Sequence, residues 1–214
     1  TYAEKQKIKE GDILRVKSGN FTLELPAHIQ PGQHNDAVAI AVGYGRTKAG
    51  RVGNGVGGNA YPFAKADHGL ISYSVGNVTV EKTGGVRKLA TTQQHGSMEG
   101  REIIKETTLG EYKKNPASGN HKEGHIFSIW PEHKYEGHRW AMAIDLSACT
   151  GCGSCVIGCQ AENNIPVVGY KDILNGREMH WLRIDRYYSG DANAPEVAYQ
   201  PMLCQHCENA PCET

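Results

Sequence analysis

No cysteine occurs in the first 148 of 214 residues, and all seven fall between Cys149 and Cys212. A disulfide framework spread through the whole chain is therefore excluded. An excess of either charge is also missing, with 23 Lys+Arg against 23 Asp+Glu, which argues against nucleic acid as a partner. Large aromatics are few, with three Phe and three Trp. No apolar run approaches the roughly 20 residues that span a bilayer, so a membrane-embedded segment is not expected. Neither an initial methionine nor a signal peptide is present, and the Thr1-Tyr2-Ala3 start suggests a processed or internal piece, with no bearing on a cytoplasmic address.

The even balance conceals two unlike parts. Residues 1–140 carry 19 basic and 14 acidic side chains, and residues 141–214 carry 4 and 9, so the parts are +5 and −5. With roughly 100–200 residues per domain as the prior, this shift predicts two units with different roles.

The opening reads as β structure. Ile13–Lys17 and Phe21–Leu25 flank Ser18-Gly19-Asn20, and Phe21, Leu23 and Leu25 alternate with Thr22 and Glu24 as in a half-buried strand. Pro26 ends the second strand. Val38–Val42 is short and continuously apolar, which predicts a strand buried on both faces. Ile71–Val75 and Val78–Val80 around Gly76-Asn77 predict a second hairpin.

From Gly43 to Gly58 the chain is rich in glycine. Gly53-Asn54-Gly55-Val56-Gly57-Gly58 satisfies G-x-G-x-x-G, but a dinucleotide site needs a strand before it and a helix after it. Pro62 opposes such a helix. A turn-rich connection is the preferred reading, ahead of a loop that admits a pterin-like ligand.

Residues 91–140 hold few aliphatic side chains and read as a linker or a strap on a partner, with a short helix near Glu99–Lys105. His121, His125, His133 and His138 lie in this strap. Asn120, Gly124 and Pro131 oppose a helix that would align His121 with His125, so exposed polar residues are favoured over a metal site.

Cys149, Cys152, Cys155 and Cys159 form C-x2-C-x2-C-x3-C, the spacing that binds [4Fe–4S] clusters. Three thiolates on one tight loop wrap corners of a cubane, and Gly151, Gly153 and Ser154 let main-chain amides approach it. The fourth cysteine is expected to start the following helix and to point to a second cluster. Met142–Leu146 reads as the strand entering the loop. Structural zinc takes four ligands, usually split two and two, and a redox dithiol is a single C-x-x-C; neither matches this run. Cysteines so close together are also poorly placed for disulfides. The second set, Cys204, Cys207 and Cys212, reads C-x2-C-x4-C. A fourth member would fall two positions beyond Thr214, which suggests that the 214 residues belong to a longer polypeptide.

Cys149–Cys159 followed by Gln160-Ala161-Glu162-Asn163-Asn164, together with Gln205-His206-Cys207-Glu208-Asn209-Ala210-Pro211-Cys212, resembles the four-cluster iron–sulfur subunits of the molybdoenzyme superfamily. That resemblance implies that Cys149, Cys152 and Cys155 hold one cluster and Cys159 belongs to its partner cluster. Cys204, Cys207 and Cys212 would hold another. Lys9–Val16, Pro31-Gly32-Gln33 and Gly43-Tyr44-Gly45-Arg46 look like the C-terminal β-barrel of molybdopterin oxidoreductases. A barrel of that type ahead of a ferredoxin domain in one chain resembles the large iron–sulfur subunit of bacterial alternative complex III.

The expected fold is thus α+β: a molybdopterin dinucleotide-binding-like β-barrel over residues 1–90, a linker over 91–140, and an incomplete bacterial-ferredoxin-like domain over 141–214. The resemblance implies [4Fe–4S] clusters, with one [3Fe–4S] as a natural variant, and no molybdopterin. It implies a peripheral place on the periplasmic, outer face of the cytoplasmic membrane, beside membrane quinol-binding subunits and c-type haem subunits. The role would be electron transfer during quinol oxidation, without catalytic side chains. The other reading is the iron–sulfur subunit of a true molybdopterin oxidoreductase, such as a polysulfide or dimethyl sulfoxide reductase. Amides around Gly151–Ser154 and Ala210–Cys212 would tune potentials. Trp140, Trp181, Tyr187 and Tyr188 are read as core or interface packing rather than an electron path, and Asp191–Pro195 as an exposed loop.

Overall fold

The computed structural model describes residues 1–120, 134, 136–138 and 140–205. In chain order the elements begin with a helical turn α1 (Tyr2–Lys5), strands β1 (Asp12–Ser18) and β2 (Phe21–Pro26), and a second turn α2 (Gly50–Gly53). A 3-10 turn at Tyr61–Phe63 precedes β3 (Lys65–Asp67), β4 (Leu70–Ser72) and β5 (Thr79–Val86). Helices α3 (Leu109–Lys114), α4 (Ser154–Glu162) and α5 (Tyr170–Leu174) follow, then β6 (Arg183–Asp191) and β7 (Ala194–Met202). Two units emerge: Thr1–Gln94 with Pro166–Glu178 and Ser189–Glu196, and His95–Ile165 with Met179–Tyr188 and Val197–Thr214.

In the first unit β1 is the centre of an antiparallel sheet ordered β2-β1-β5. The β1–β2 hairpin forms where the sequence predicts it, with Leu23 and Leu25 half-buried but Phe21 exposed, and Gly19 takes the left-handed conformation that its turn requires. Val16 pairs with Leu23 on one side and Val80 on the other and is buried. Arg15 lies opposite Glu24 and bonds it at 2.6 Å. Between the Asp12–Val86 and Leu14–Lys82 pairs, Thr83, Gly84 and Gly85 face the single residue Ile13. The Thr83 hydroxyl donates to the Ile13 carbonyl that this bulge leaves unpaired. Lys82 reaches back to the buried carboxylate of Asp12.

Two sequence expectations fail here. Ile71–Val75 does not pair with Val78–Val80: β4 turns back on β3 around His68-Gly69, and β5 joins β1 instead. Pairing across the chain lets Val80 cover Val16, which a local hairpin could not do. Val38–Val42 is no strand, and Val38 and Val42 are exposed. Five residues between a turn at His34–Ala37 and Gly43 find no ladder to join. The G-x-G-x-x-G stretch begins on the last residue of α2 and leads to a 3-10 turn, so it is the turn-rich connection expected and not a dinucleotide loop.

That connection closes on itself. The Gly45 amide donates to Val56 and the Gly55 amide to Arg46, both at 2.8 Å. Gly45 is left-handed, and a Cβ there would stand 2.6 Å from the Asn59 nitrogen. Its neck therefore admits only glycine at that place. Among the described residues the strands form one three-stranded and two two-stranded sheets, with no closed barrel.

In the second unit no helix covers Glu99–Lys105; Glu99 and Gly100 both adopt positive φ, which breaks it. The helix stands later, at α3, where Thr108 accepts from the Glu111 amide as N-cap. Thr108-x-x-Glu111 is a capping signal that the sequence reading passed over. Met142–Leu146 is not the strand expected, and Leu146 already belongs to the turn before Cys149; β6 and β7 pair with each other through the turn at Ala192-Asn193. Of the expected loop Asp191–Pro195 only Ala192-Asn193 is turn, a part of the first unit, with Asp191 accepting from the Asn193 amide at 2.7 Å. Among the described residues no helix is long and apolar enough to cross a membrane.

Candidate metal centre

The cysteine loop is built from its entry. The Asp145 carboxylate accepts from the Ser147 amide at 2.9 Å and from the Ser147 hydroxyl at 2.6 Å. These bonds hold the Asp145 carboxyl below its usual range, the hydroxyl contributing most. The Asp145 carbonyl then receives the amides of Ala148 and Cys149. This turn presents Cys149. On its far side the Tyr199 hydroxyl, carried by β7, lies 2.6 Å from the Leu146 oxygen and 2.8 Å from the Cys149 oxygen. Burial first, and then Cys149 and Asp145, raise the pKa of that phenol.

Gly151 and Gly153 are both left-handed, and a Cβ on either would meet nothing within 4 Å. The loop therefore leaves open space beside Cys152. The Cys152 thiol is pushed below its ordinary pKa, chiefly by the Ser154 hydroxyl, then by the Ser154 amide and the Thr150 hydroxyl. Ser154 Oγ stands 3.3 Å from the Cys152 sulfur. Left-handed Gly153 caps α4 without a side chain, so the helix starts one residue before Cys155.

The expected place of the fourth cysteine needs correction. Cys159 does not start the helix but lies in its second turn, four residues after Cys155. In an α-helix that spacing puts both side chains on one face. The helix ends on Asn163. Asn164 takes the left-handed conformation, and the Ile165 amide returns to the Gln160 carbonyl. This Schellman-type stop buries Ile165. Gln160 also bonds His180 at 2.8 Å, tying α4 to the segment before β6.

Cys149, Cys152, Cys155, Cys159 and Cys204 are all free thiols. Cys204 follows β7 and is exposed, whereas Cys207 and Cys212 lie outside the described residues, as do Ala210 and the histidines 121, 125 and 133. His138 is exposed. Among the described residues no three His, Cys, Asp or Glu side chains converge on a point that would hold a single ion. The donor chemistry nevertheless fits an iron–sulfur cluster: four unpaired thiols within eleven residues, on a loop whose glycines leave room beside it. Trp140 and Trp181 are exposed rather than core residues, while Tyr187 and Tyr188 are half-buried.

A separate cleft of about 380 Å³ lies on the glycine connection of the first unit, lined by Tyr44, Arg46, Thr47, Lys48, Asn59 and Tyr61. Its lining thus includes two cationic and two tyrosine residues.

No family model matches the chain. It is 42% identical over 77 residues to the iron–sulfur cluster-binding subunit of menaquinone reductase from Nitratidesulfovibrio vulgaris, covering 35% of this chain and 29% of that protein. Against iron–sulfur subunit 1 of the Hdr-like menaquinol oxidoreductase of Archaeoglobus fulgidus, identity is 33% over 97 residues, covering 38% and 35%. The iron–sulfur subunit of the arsenate respiratory reductase of a Shewanella species is 35% identical over 74 residues, covering 35% and 27%. The chain thus spans about a third of the length of these relatives, all three of which are named as iron–sulfur subunits.

Proposed function

We propose that this chain is an electron-transfer iron–sulfur subunit of a quinol-oxidising respiratory complex like alternative complex III. It would lie peripherally on the outer face of the cytoplasmic membrane and pass electrons from quinol towards c-type haem subunits. The observation that carries this reading is the all-thiol run Cys149–Cys159 on an open, glycine-shaped loop, with relatives named as iron–sulfur subunits supporting it.

A bound [4Fe–4S] cluster supplies one-electron storage at a potential set by its surroundings. The chain's own residues do the rest. Cys149, Cys152 and Cys155 would hold one cluster, Cys159 the partner cluster, and Cys204, Cys207 and Cys212 another. Ser154, by favouring the Cys152 thiolate, prepares a ligand in its binding form. Tyr199 and Asp145 hold the turn that presents Cys149. No side chain makes or breaks a substrate bond in this scheme.

The first unit would belong to a molybdopterin-oxidoreductase-type barrel that has lost its pterin. A second reading keeps the pterin and makes the chain part of a true molybdopterin oxidoreductase. The cleft with Arg46, Lys48, Tyr44 and Tyr61 favours it, since cations and flat rings suit an anionic heterocycle. The test is low-temperature EPR of the native complex during stepwise anaerobic reduction, with iron and molybdenum measured on the same sample. Several interacting iron–sulfur signals without molybdenum support the electron-wire reading. Stoichiometric molybdenum with a Mo(V) signal replaces it with the second, and absence of any iron–sulfur signal overturns both.

A further inference from the structure

We propose that Asn163 is a positioning and tuning residue, whose side-chain amide donates a hydrogen bond to the sulfur of Cys159 and raises the potential of the cluster that Cys159 ligates. The inference rests on the iron–sulfur reading above and adds a residue that ligand spacing does not reveal.

The geometry is local and well defined. Asn163 is the C-cap of α4, and its main-chain amide already bonds the Cys159 carbonyl at 3.1 Å. Its side-chain nitrogen Nδ2 lies 2.9 Å from that same carbonyl oxygen and 3.6 Å from Cys159 Sγ. A primary amide nitrogen carries two hydrogens, so one serves the oxygen and the other the sulfur. The opposite amide orientation would turn Oδ1 towards a carbonyl oxygen and a thiolate, which are both acceptors. Nitrogen is therefore fixed on this side by its two partners.

Helix-stop geometry holds the donor in place. Asn164 in the left-handed conformation and the Ile165-to-Gln160 bond fix the backbone at Asn163. The amide thus approaches Cys159 from the same chain turn, without needing another subunit. A ligating thiolate gains negative charge when its cluster is reduced, so an N–H aimed at it favours the reduced form. Removing the N–H lowers the midpoint potential. Because the donor touches Cys159 alone among the described cysteines, the shift should be confined to one cluster.

The experiment is a potentiometric EPR titration of the native complex carrying Asn163→Leu or Asn163→Asp, with iron per chain measured alongside. Leu deletes the donor without charge, and Asp replaces it with an acceptor of the same shape. The expected result is a negative shift of one and the same cluster in both variants, larger for Asp, with iron content and the other midpoints unchanged. Normal iron with an unmoved midpoint in Asn163→Leu overturns the proposal. Iron loss in both variants also overturns it, because the amide would then be holding the loop rather than tuning the sulfur. Absence of cluster signals in the unmodified complex would instead remove the functional reading itself.

Discussion

The Tyr199 hydroxyl stands 2.8 Å from the main-chain oxygen of Cys149, fifty residues earlier in the chain. It lies closer still, at 2.6 Å, to the oxygen of Leu146. One phenol proton thus serves both carbonyls of the turn that delivers the first thiol of the motif. Tyr199→Phe keeps the ring and removes only this clamp. The expected outcome is faster cluster loss when the complex is challenged with an iron chelator, with unchanged initial iron content. Equal loss rates in the two proteins would show that Asp145 and Ser147 hold the turn unaided.

Cys152 is the thiol that Ser154 acidifies, and this has a pH signature in the cluster-free chain. A lowered pKa means that the reactive thiolate forms at lower pH than it does in an ordinary cysteine. On raising the pH, alkylation at Cys152 should therefore begin below the usual thiol range, read by peptide mass spectrometry. Ser154→Ala removes the largest cause and should move that onset to higher pH. An onset that ignores Ser154 would assign the effect to the main chain and Thr150.

Parts of this arrangement were legible in the sequence and parts were not, for physical reasons. The β1–β2 hairpin is local, so the alternation of Leu23 and Leu25 about a Gly19 turn was enough. The thiol run was equally plain, because ligand spacing on one loop is a property of neighbours. The partner of β5 is different: Val80 pairs with Val16 across more than sixty residues, and nothing near Asn77 announces it. Tyr199 was invisible for the same reason. Asn163 and Thr108 were readable in principle, as a residue at a helix stop and as a Thr-x-x-Glu cap. The motif drew attention to its cysteines and away from the residues that bond them.

Asp12 gives the first unit a predictable response to acid. Its buried carboxylate receives Lys82 Nζ and the Lys9 amide, each at 2.7 Å. Lys82 is the larger cause of a pKa held below the usual aspartate value. A depressed folded pKa means that the contribution is complete above the unfolded value of about 3.9 and is lost as pH falls through the folded one. Asp12→Asn should lower stability at neutral pH and flatten the acid limb of unfolding, followed by denaturant titration. An acid limb of unchanged slope would exclude Asp12 as its source.

Val16 is the test of how much the small apolar centre of that unit matters. It is buried between Leu23 and Val80, and Ala60 is the other buried apolar residue described in this unit. Val16→Ala removes two buried carbon atoms and should cost about 2 kcal/mol of unfolding free energy. A loss under about 0.5 kcal/mol, the scale of ordinary surface substitutions, would mean that the sheet is held by its ladder and not by this contact.

The ligand assignment itself is tested by comparing two single variants. Cys152 lies on the open loop beside left-handed Gly151 and Gly153, whereas Cys159 lies one helical turn beyond Cys155. If the proposed cluster pairing holds, the two sulfurs serve different clusters despite their seven-residue separation. Cys152→Ala should then lose one cluster or convert it to a three-iron form, lowering iron per chain. Cys159→Ala should alter a different EPR signal. Unchanged iron in Cys152→Ala would reject the ligand role. Loss of the same signal in both variants would keep the ligands but place all four thiols on one cluster, as the shared helix face of Cys155 and Cys159 would allow.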